Sequence, residues 1–147
     1  MKIPNLHRSL KNDITRLQLL NIHDQLERLP GATEPRKAIV GTTLEYLDSL
    51  MGDASTDREL ALVVASGYIK MGDLLGSPLN PNLGDTPGAL KSYTKALAVL
   101  KPMDGFGATL RQFTALEHIG SLHQEAGKLK DAGAAYRDAM AVAKKIE

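Results

Sequence analysis

The stretch GDTPGALKSYTKALAVLK, residues Gly84–Lys101, decides the fold, because a second copy follows 43 residues later. That copy is GKLKDAGAAYRDAMAVAK, residues Gly127–Lys144. Seven of the 18 aligned positions are identical, where average residue usage gives roughly one or two. They are Gly84/Gly127, Ala89/Ala132, Tyr93/Tyr136, Ala96/Ala139, Ala98/Ala141, Val99/Val142 and Lys101/Lys144. Their spacing puts small, aromatic and aliphatic groups on one helical face, and repetition at this period predicts a helical solenoid.

The repeated pattern resembles the second helix of a tetratricopeptide (TPR) repeat, and a candidate first helix precedes each copy. Ala61, Val64, Ala65, Tyr68 and Gly72 correspond in order to Leu116, Ile119, Gly120, His123 and Gly127. This pairing is offset by 55 rather than 43 residues, so it places a 12-residue insertion at about 72–83 of the first repeat. The resemblance covers about Asp57–Glu147 and implies both a fold and a habit of binding protein segments.

Hydrophobic periodicity and turn residues divide the whole chain into helices. The expected helices span 5–29, Pro35 to Met51–Gly52, Asp57 to about Leu75, Asp85 or Thr86 to about Leu100, Ala108–Ala126 and Leu129–Ile146. The predicted fold is therefore all-α, with about six helices in three antiparallel hairpins stacked as a TPR-like, right-handed α-solenoid. One domain, 1–147, holds an N-terminal hairpin (5–52), a first repeat (57–101) and a second repeat (106–146). The segment 76–85, rich in Pro, Gly and Asn, is expected to project without entering the core.

The composition narrows the classes of function. A net charge of +1 gives no electrostatic reason for binding nucleic acid or an anionic membrane. The chain has no cysteine, which excludes a disulfide framework, a thiolate nucleophile and a Cys-ligated zinc site. No apolar run approaches the ~18 residues of a spanning helix, and Met1–Asn5 does not open a signal peptide, so we expect a soluble chain without direct membrane insertion. Aromatic residues are only 4%, so the helices are expected to pack through small residues such as Ala89, Ala96, Ala132 and Ala139.

A second resemblance extends the first one toward the N-terminus. The run Leu29–Leu50, followed by the insertion and by ALKSYTKAL, is similar to the C-terminal region of bacterial, especially acidobacterial, serine/threonine protein kinases. It covers about Asn21–Leu100. In that family, a cytoplasmic kinase domain precedes a membrane span and TPR repeats. The kinase domain and the span are both missing from this sequence, so the resemblance implies a regulatory or sensor region and no catalysis.

No residue pattern predicts a catalytic, cofactor-binding or metal-binding residue. The four histidines, His7, His23, His118 and His123, lack metal-ligand spacing, and His123 is interpreted as a packed histidine at the position of Tyr68. The oxygen-bearing residues of the insertion do not follow the order of a calcium loop and are typical turn formers. They are Asp73, Asn80, Asn82 and Asp85. Asp104–Gly107 has the composition of a kinase metal motif in the wrong order, so we expect a turn there.

The main hypothesis is a non-enzymatic module that binds a protein or peptide partner in a groove, without a cofactor. The resemblance implies that one stripe of each first helix lines that groove. The candidate contact residues are Ser66, Ile69, Lys70, Thr114, Glu117, Ser121, Gln124 and Glu125. A solvated helix face would carry the same polar residues, so this alternative stays open.

The alternative hypothesis is a self-association or spacer domain of a membrane-anchored receptor-like kinase. Leu10, Ile14 and Leu17 would form the seam of a homodimer through the first helix, although the same residues can pack on the next hairpin. The compartment also stays open, between the extracytoplasmic part of such a kinase and the cytoplasm. The sequence names no particular partner.

Overall fold

The computed structural model describes residues 33–77, 79 and 81–146, together with Arg16 and Gln18, which lie in helical backbone. The described part is all-helical, as expected. Its helices are α1 (Thr33–Ala54), α2 (Arg58–Gly76), α3 (Thr86–Leu100), α4 (Phe106–Glu125) and α5 (Leu129–Ala143), followed by a short 3₁₀ turn, Lys144–Ile146. The sequence predicted all five of these helices, with ends that differ by up to about three residues. The predicted first helix, 5–29, lies outside the described residues apart from Arg16 and Gln18, and so does its proposed dimer seam.

Local sequence chemistry sets the ends of these helices. Asp57 and Asp85 precede α2 and α3, where their carboxylates accept hydrogen bonds from the backbone N–H groups of Leu60 and Gly88. Gly127 has a φ of +76°, a left-handed conformation that favours glycine and lets the chain reverse between α4 and α5. The three-residue turn after α4 therefore produces a tight antiparallel hairpin.

Helix α2 is the centre of the described structure, because it packs against α1, α3 and α4. It is apolar on most of its faces, which is the pattern of a helix covered on several sides. Tyr68 in α2 and Tyr93 in α3 are fully buried. The four alanines predicted as tight contacts are also buried, with exposures of 0 to 3%. They are Ala89, Ala96, Ala132 and Ala139.

One contact recurs in both hairpins and relates them as structural copies. A Cβ atom added to Gly72 would lie 2.6 Å from Cε1 of Tyr93, and one added to Gly120 would lie 2.6 Å from Cε1 of Tyr136. Each glycine thus provides the space for a tyrosine ring of the following helix. Gly72 therefore corresponds to Gly120, and not to Gly127 as the sequence comparison suggested.

This contact also corrects the size of the insertion. The two glycines are 48 residues apart and the two tyrosines 43, which leaves five extra residues in the first hairpin rather than 12. Residues 72–76, which the sequence comparison places in the insertion, form the last turn of α2. Sequence alone misplaced the register by seven residues because two turns of a helix repeat the same apolar face.

The loop between α2 and α3 packs more closely than its composition predicted. The backbone N–H groups of Leu83 and Asp85 donate to the carbonyl oxygens of Leu74 and Leu75, at 3.0 and 2.8 Å. The Leu83 side chain packs against the core, whereas the Leu79 side chain is 73% exposed. The expectation that this segment stays clear of the core is therefore wrong for its C-terminal half. Within the described residues, no helix is both long and apolar enough to cross a membrane.

Candidate functional site

Helices α2 and α4 belong to different hairpins, yet they lie side by side and run in the same direction. Three pairs of residues connect them. Ser66 binds Arg111, and Asp73 lies beside His118. The Leu62 side chain lies beside Gly107, 4.0 Å from where a Cβ atom on Gly107 would be. The partners are 45 residues apart in every contact, so the two helices are parallel. We give the name α2–α4 face to the surface that the candidate contact residues of these two helices predict, without Ile69. Its members are Ser66, Lys70, Thr114, Glu117, Ser121, Gln124 and Glu125.

Arg111 connects the two helices at one end of this face. Its Nε donates to the Ser66 hydroxyl at 2.7 Å, and its Nη1 donates to the Gly107 carbonyl oxygen at 2.9 Å. Burial, and then the positive charge of Arg16, lower the pKa of Arg111.

A second polar cluster joins α2, α3 and α4. The Tyr93 hydroxyl donates to Oδ1 of Asp73 at 2.6 Å, and the His118 ring stacks on the Tyr93 ring with 5.4 Å between centroids. Nδ1 of His118 lies 2.6 Å from the Thr114 carbonyl oxygen, which can only accept, so Nδ1 carries the proton. Nε2 of His118 then faces Oδ1 of Asp73 at 3.8 Å. Burial, and then the hydrogen bond to Asp73, raise the pKa of Tyr93, so its hydroxyl stays protonated and is committed to Asp73.

The same type of contact occurs one helix earlier. The Tyr68 hydroxyl donates to Oδ1 of Asp48 at 2.5 Å, and the Lys95 ammonium reaches the same oxygen at 2.8 Å. Burial alone would raise the pKa of Asp48, but the hydrogen bonds from Lys95 and Tyr68 outweigh it and lower the pKa. Both aspartates lie 20 residues before their tyrosine, so each tyrosine pins its helix to the preceding one.

The predicted contact residues of α2 fall into three different environments. Ser66 is half-buried and holds the Arg111 side chain. Lys70 is also half-buried and belongs to the α2–α4 face. Ile69 is only 8% exposed and packs in the apolar core. The expectation that Ile69 contacts a partner is therefore corrected, because a buried aliphatic side chain stabilises the fold instead.

The predicted contact residues of α4 all lie at or near the surface. Glu117 and Glu125 are exposed. Ser121 and Gln124 bind the Tyr136 hydroxyl, at 3.2 and 2.9 Å, and so connect the α2–α4 face to α5. Thr114 is half-buried, and its hydroxyl donates to the backbone of its own helix.

Sequence reasoning missed Asp73, Arg111 and His118 as residues of this region. The spacing of 20 residues between Asp48 and Tyr68, repeated between Asp73 and Tyr93, was a signal that could have found the first of them. His118 and Arg111 carry no comparable signal, because their roles depend on the parallel packing of α2 and α4. His123, assigned by sequence to the position of Tyr68, corresponds by the glycine contact to Leu75.

The polar side chains of this region contact one another across the helices. The Tyr93 hydroxyl donates to Asp73, and the His118 ring stacks on Tyr93 and lies beside Asp73. Within the described part of the chain, no cluster of three His, Asp or Glu side chains is arranged to hold a metal ion. Of the residues considered as oxygen ligands, Asn82 and Asp85 serve local structure, because Asn82 accepts a hydrogen bond from the Gly84 N–H at 2.7 Å and Asp85 accepts one from the Gly88 N–H at 3.0 Å.

Comparison with known proteins adds no relative, since no family model, no curated protein and no solved structure matches this chain.

Proposed function

We propose that the chain is a TPR-like module that binds a segment of a partner protein on the α2–α4 face. The TPR pattern has a large residue, a glycine four residues later, and an A-x₃-F pair in the second helix. The spacing of Tyr68, Gly72, Ala89 and Tyr93 in the first hairpin supports the proposal, because it matches these positions. Leu116, Gly120, Ala132 and Tyr136 occupy them in the second.

The parallel packing of α2 and α4 is the observation that carries this proposal. It supports the proposal because stacked helical repeats build extended binding surfaces from the side chains of neighbouring repeats. The surface offers a lysine, Lys70, and two exposed glutamates, Glu117 and Glu125, so it suits a segment with charges of both signs. Charged groups of this kind mainly set partner choice and association rate.

The wider context is also a proposal. The similarity of Asn21–Leu100 to the C-terminal part of acidobacterial serine/threonine kinases supports a regulatory or sensor role beside such a kinase. On this reading the module is non-catalytic, and its partner is a protein and not a nucleic acid. Its compartment is extracytoplasmic if the module belongs to such a membrane-anchored kinase, and the cytoplasm is the alternative.

A charge exchange on the face tests the proposed function. Lys70→Glu with Glu117→Lys keeps the net charge and removes no core side chain, so unfolding should change by well under ~1 kcal/mol. The wild-type protein and the variant with the charge exchange are immobilised separately. Quantitative mass spectrometry then measures which partner proteins each of them retains. Proteins that bind the face should be lost from the exchanged variant.

The matched control exchanges two exposed charges of α5, Lys130→Glu with Asp138→Lys. Only proteins retained by the wild type and this control, and lost with the face exchange, support the proposal; equal retention by all three would contradict it. In that event the alternative is self-association through the first helix, which Leu10→Asp with Ile14→Asp should abolish in a measurement of solution mass.

A further inference from the structure

Helix α5 carries a row of apolar and small residues that the described part of the structure leaves at the surface. They share one side of the helix, because they follow one another at steps of four, three and four residues. Leu129 and Met140 are 69 and 64% exposed, and Gly133 and Tyr136 between them are half-buried. We name these four residues the α5 stripe. Single exposed apolar residues are ordinary on a protein surface, whereas a row of them along a helix is typical of a side that packs against another element.

The first hairpin contains a copy of this stripe, and there it is covered. Counting back 43 residues, Tyr136 corresponds to Tyr93 and Met140 to Leu97 of α3. Helix α4 packs along α3, and its His118 ring stacks on the Tyr93 ring with 5.4 Å between centroids. Tyr93 is fully buried and Leu97 packs against the core. The element that covers this side of the second helix in the first hairpin is therefore another helix, antiparallel to it.

The charges that border the α5 stripe are positive. Lys130, Arg137 and Lys144 are seven residues apart, so they form a basic line along the edge of the stripe that lies away from the buried alanines. All three are exposed, and none of them forms an ion pair with another described residue. The acidic Asp131 and Asp138 lie a further step of about 100° round the helix. An element that covers the stripe therefore meets cations at its edge, which favours acidic residues there.

The middle of the stripe allows a close approach beside a cation. Gly133 has no side chain to hold a partner at a distance. A Cβ atom added to Gly133 would lie 3.3 Å from Nη1 of Arg137, so the guanidinium lies beside the glycine. A carboxylate that arrives here can accept two hydrogen bonds from that guanidinium, which is a strong and geometrically specific contact.

We propose that the α5 stripe docks an amphipathic helix with an acidic edge, supplied by a partner protein. The apolar side of that helix would cover Tyr136 and Met140, as α4 covers Tyr93, and its carboxylates would pair with Arg137 and the lysines of the basic line. A second copy of α5 suits the stripe less well, because two such helices packed about a two-fold axis would place their basic lines against each other. This inference does not rest on the proposed function, since the stripe and the basic line share no residue with the α2–α4 face.

Two synthetic helical peptides of 15 residues, the length of α5, are the probes for this surface. Both carry leucines at alternating steps of four and three residues; one has glutamates along the edge of that leucine row, and the other has lysines at the same positions. Titration followed by amide NMR should give saturable binding of the glutamate peptide, with shifts centred on α5. The lysine peptide should bind at least about tenfold more weakly, because it opposes like charges.

Charge reversal on α5 should exchange this preference. Lys130→Glu with Arg137→Glu should weaken binding of the glutamate peptide at least about tenfold and strengthen binding of the lysine peptide. Lys91→Glu with Lys101→Glu is the matched control, because it changes the net charge equally at two exposed lysines of the first hairpin. The control should keep the wild-type preference.

The apolar contact is tested by a separate pair of variants. Met140→Gln should weaken binding of the glutamate peptide about fivefold, because it removes an apolar side chain that the peptide buries. Leu79→Gln is the matched control, since Leu79 is similarly exposed, at 73%, but lies in the loop between α2 and α3. Circular dichroism verifies that each variant is folded.

The proposal is overturned if the glutamate peptide does not bind saturably, if both peptides bind equally, or if the shifts fall on the α2–α4 face. Binding to phosphatidylserine vesicles without binding of the glutamate peptide would overturn it in favour of a membrane surface. A dimer in solution that Met140→Gln dissociates would overturn it in favour of a second copy. Natural partners of this surface should be lost with the α5 exchange, Lys130→Glu with Asp138→Lys, and retained with the exchange on the α2–α4 face.

Discussion

The two hairpins, α2–α3 and α4–α5, share one central contact and differ in what surrounds it. In both, a tyrosine ring fills the space left by a glycine, at nearly the same distance. In the first hairpin Tyr93 is fully buried and its hydroxyl binds the Asp73 carboxylate. In the second, Tyr136 is half-buried and its hydroxyl binds the neutral side chains of Ser121 and Gln124.

The surroundings explain this difference. The first hairpin is covered by α1 and by α4, whereas in the described part of the chain the second hairpin is covered only by the first. Helix α5 therefore buries only alanines and leaves Leu129 and Met140 exposed, at 69 and 64%. The comparison indicates that the loss of unfolding free energy caused by a substitution depends more on how many helices cover its hairpin than on the sequence of that hairpin.

Loss of the tyrosine hydroxyl should give the largest difference in stability between the two hairpins. Tyr93→Phe leaves the Asp73 carboxylate without its buried donor, which should lower the free energy of unfolding by about 2 kcal/mol. Tyr136→Phe should cost well under ~1 kcal/mol, because water can replace the hydroxyl beside Ser121 and Gln124. Urea denaturation of both variants measures this, and equal costs would show that burial does not distinguish the two sites.

Filling the glycine space should have a smaller effect of the same sign. Gly72→Ala overpacks the Tyr93 ring at a cost of ~1–3 kcal/mol and gains up to ~1 kcal/mol of helix propensity, so a net loss of about 1 kcal/mol is expected. Gly120→Ala should be close to neutral, because the half-buried Tyr136 can move outward. Gly52→Ala is the control, and it should stabilise the protein slightly because open space lies there. A neutral Gly72→Ala in thermal unfolding would mean that the Tyr93 ring can move as freely as that of Tyr136.

The smallest predicted effect concerns pH and the carboxylate contact between α1 and α2. The pKa of Asp48 is lowered in the folded protein from its ordinary value of 3.8, so its contribution is present above pH 3.8 and is lost as pH falls through the folded value. Asp48→Asn should therefore flatten the acid side of the stability profile, with an effect below ~1 kcal/mol for this partly exposed pair. Asp138→Asn, which removes an exposed carboxyl of α5, is the control variant. An identical profile for Asp48→Asn and wild type would contradict the assigned pair.

The sequence predicted the helices well because their determinants are local. The repeated Ala-x₃-Tyr-x₂-Ala spacing, the capping aspartates Asp57 and Asp85, and the Gly127 turn each act within a few residues of where they stand. The alignment of α2 with α4, the first helices of the two hairpins, was not predictable in this way, because the apolar face of a helix repeats after two turns. Only the glycine–tyrosine contacts determine it.

The candidate site was predicted in part for a related reason. Helical spacing was enough to select the exposed Glu117 and Glu125 and the half-buried Lys70, whose contact with a partner stays a prediction. It could not show that Ile69 is buried, or that Arg111 and His118 connect two helices, because those facts depend on which helix lies alongside. The backbone hydrogen bonds that draw Leu83 onto the core are likewise non-local.

The central claim is that α2 and α4 are parallel neighbours in a stack of two hairpins, and a pair of distances tests it most directly. The chain has no cysteine, so cysteines introduced for spin labels are unique. Labels at Lys70 and Glu117 lie at nearly the same level of the two helices, whereas labels at Glu59 and Glu125 differ in level by about 30 Å along the axes at 1.5 Å per residue. Pulsed electron paramagnetic resonance should therefore give a short distance for the first pair and one longer by tens of ångströms for the second. A Glu59–Glu125 distance equal to or shorter than the Lys70–Glu117 distance would contradict the parallel arrangement, and with it the α2–α4 face.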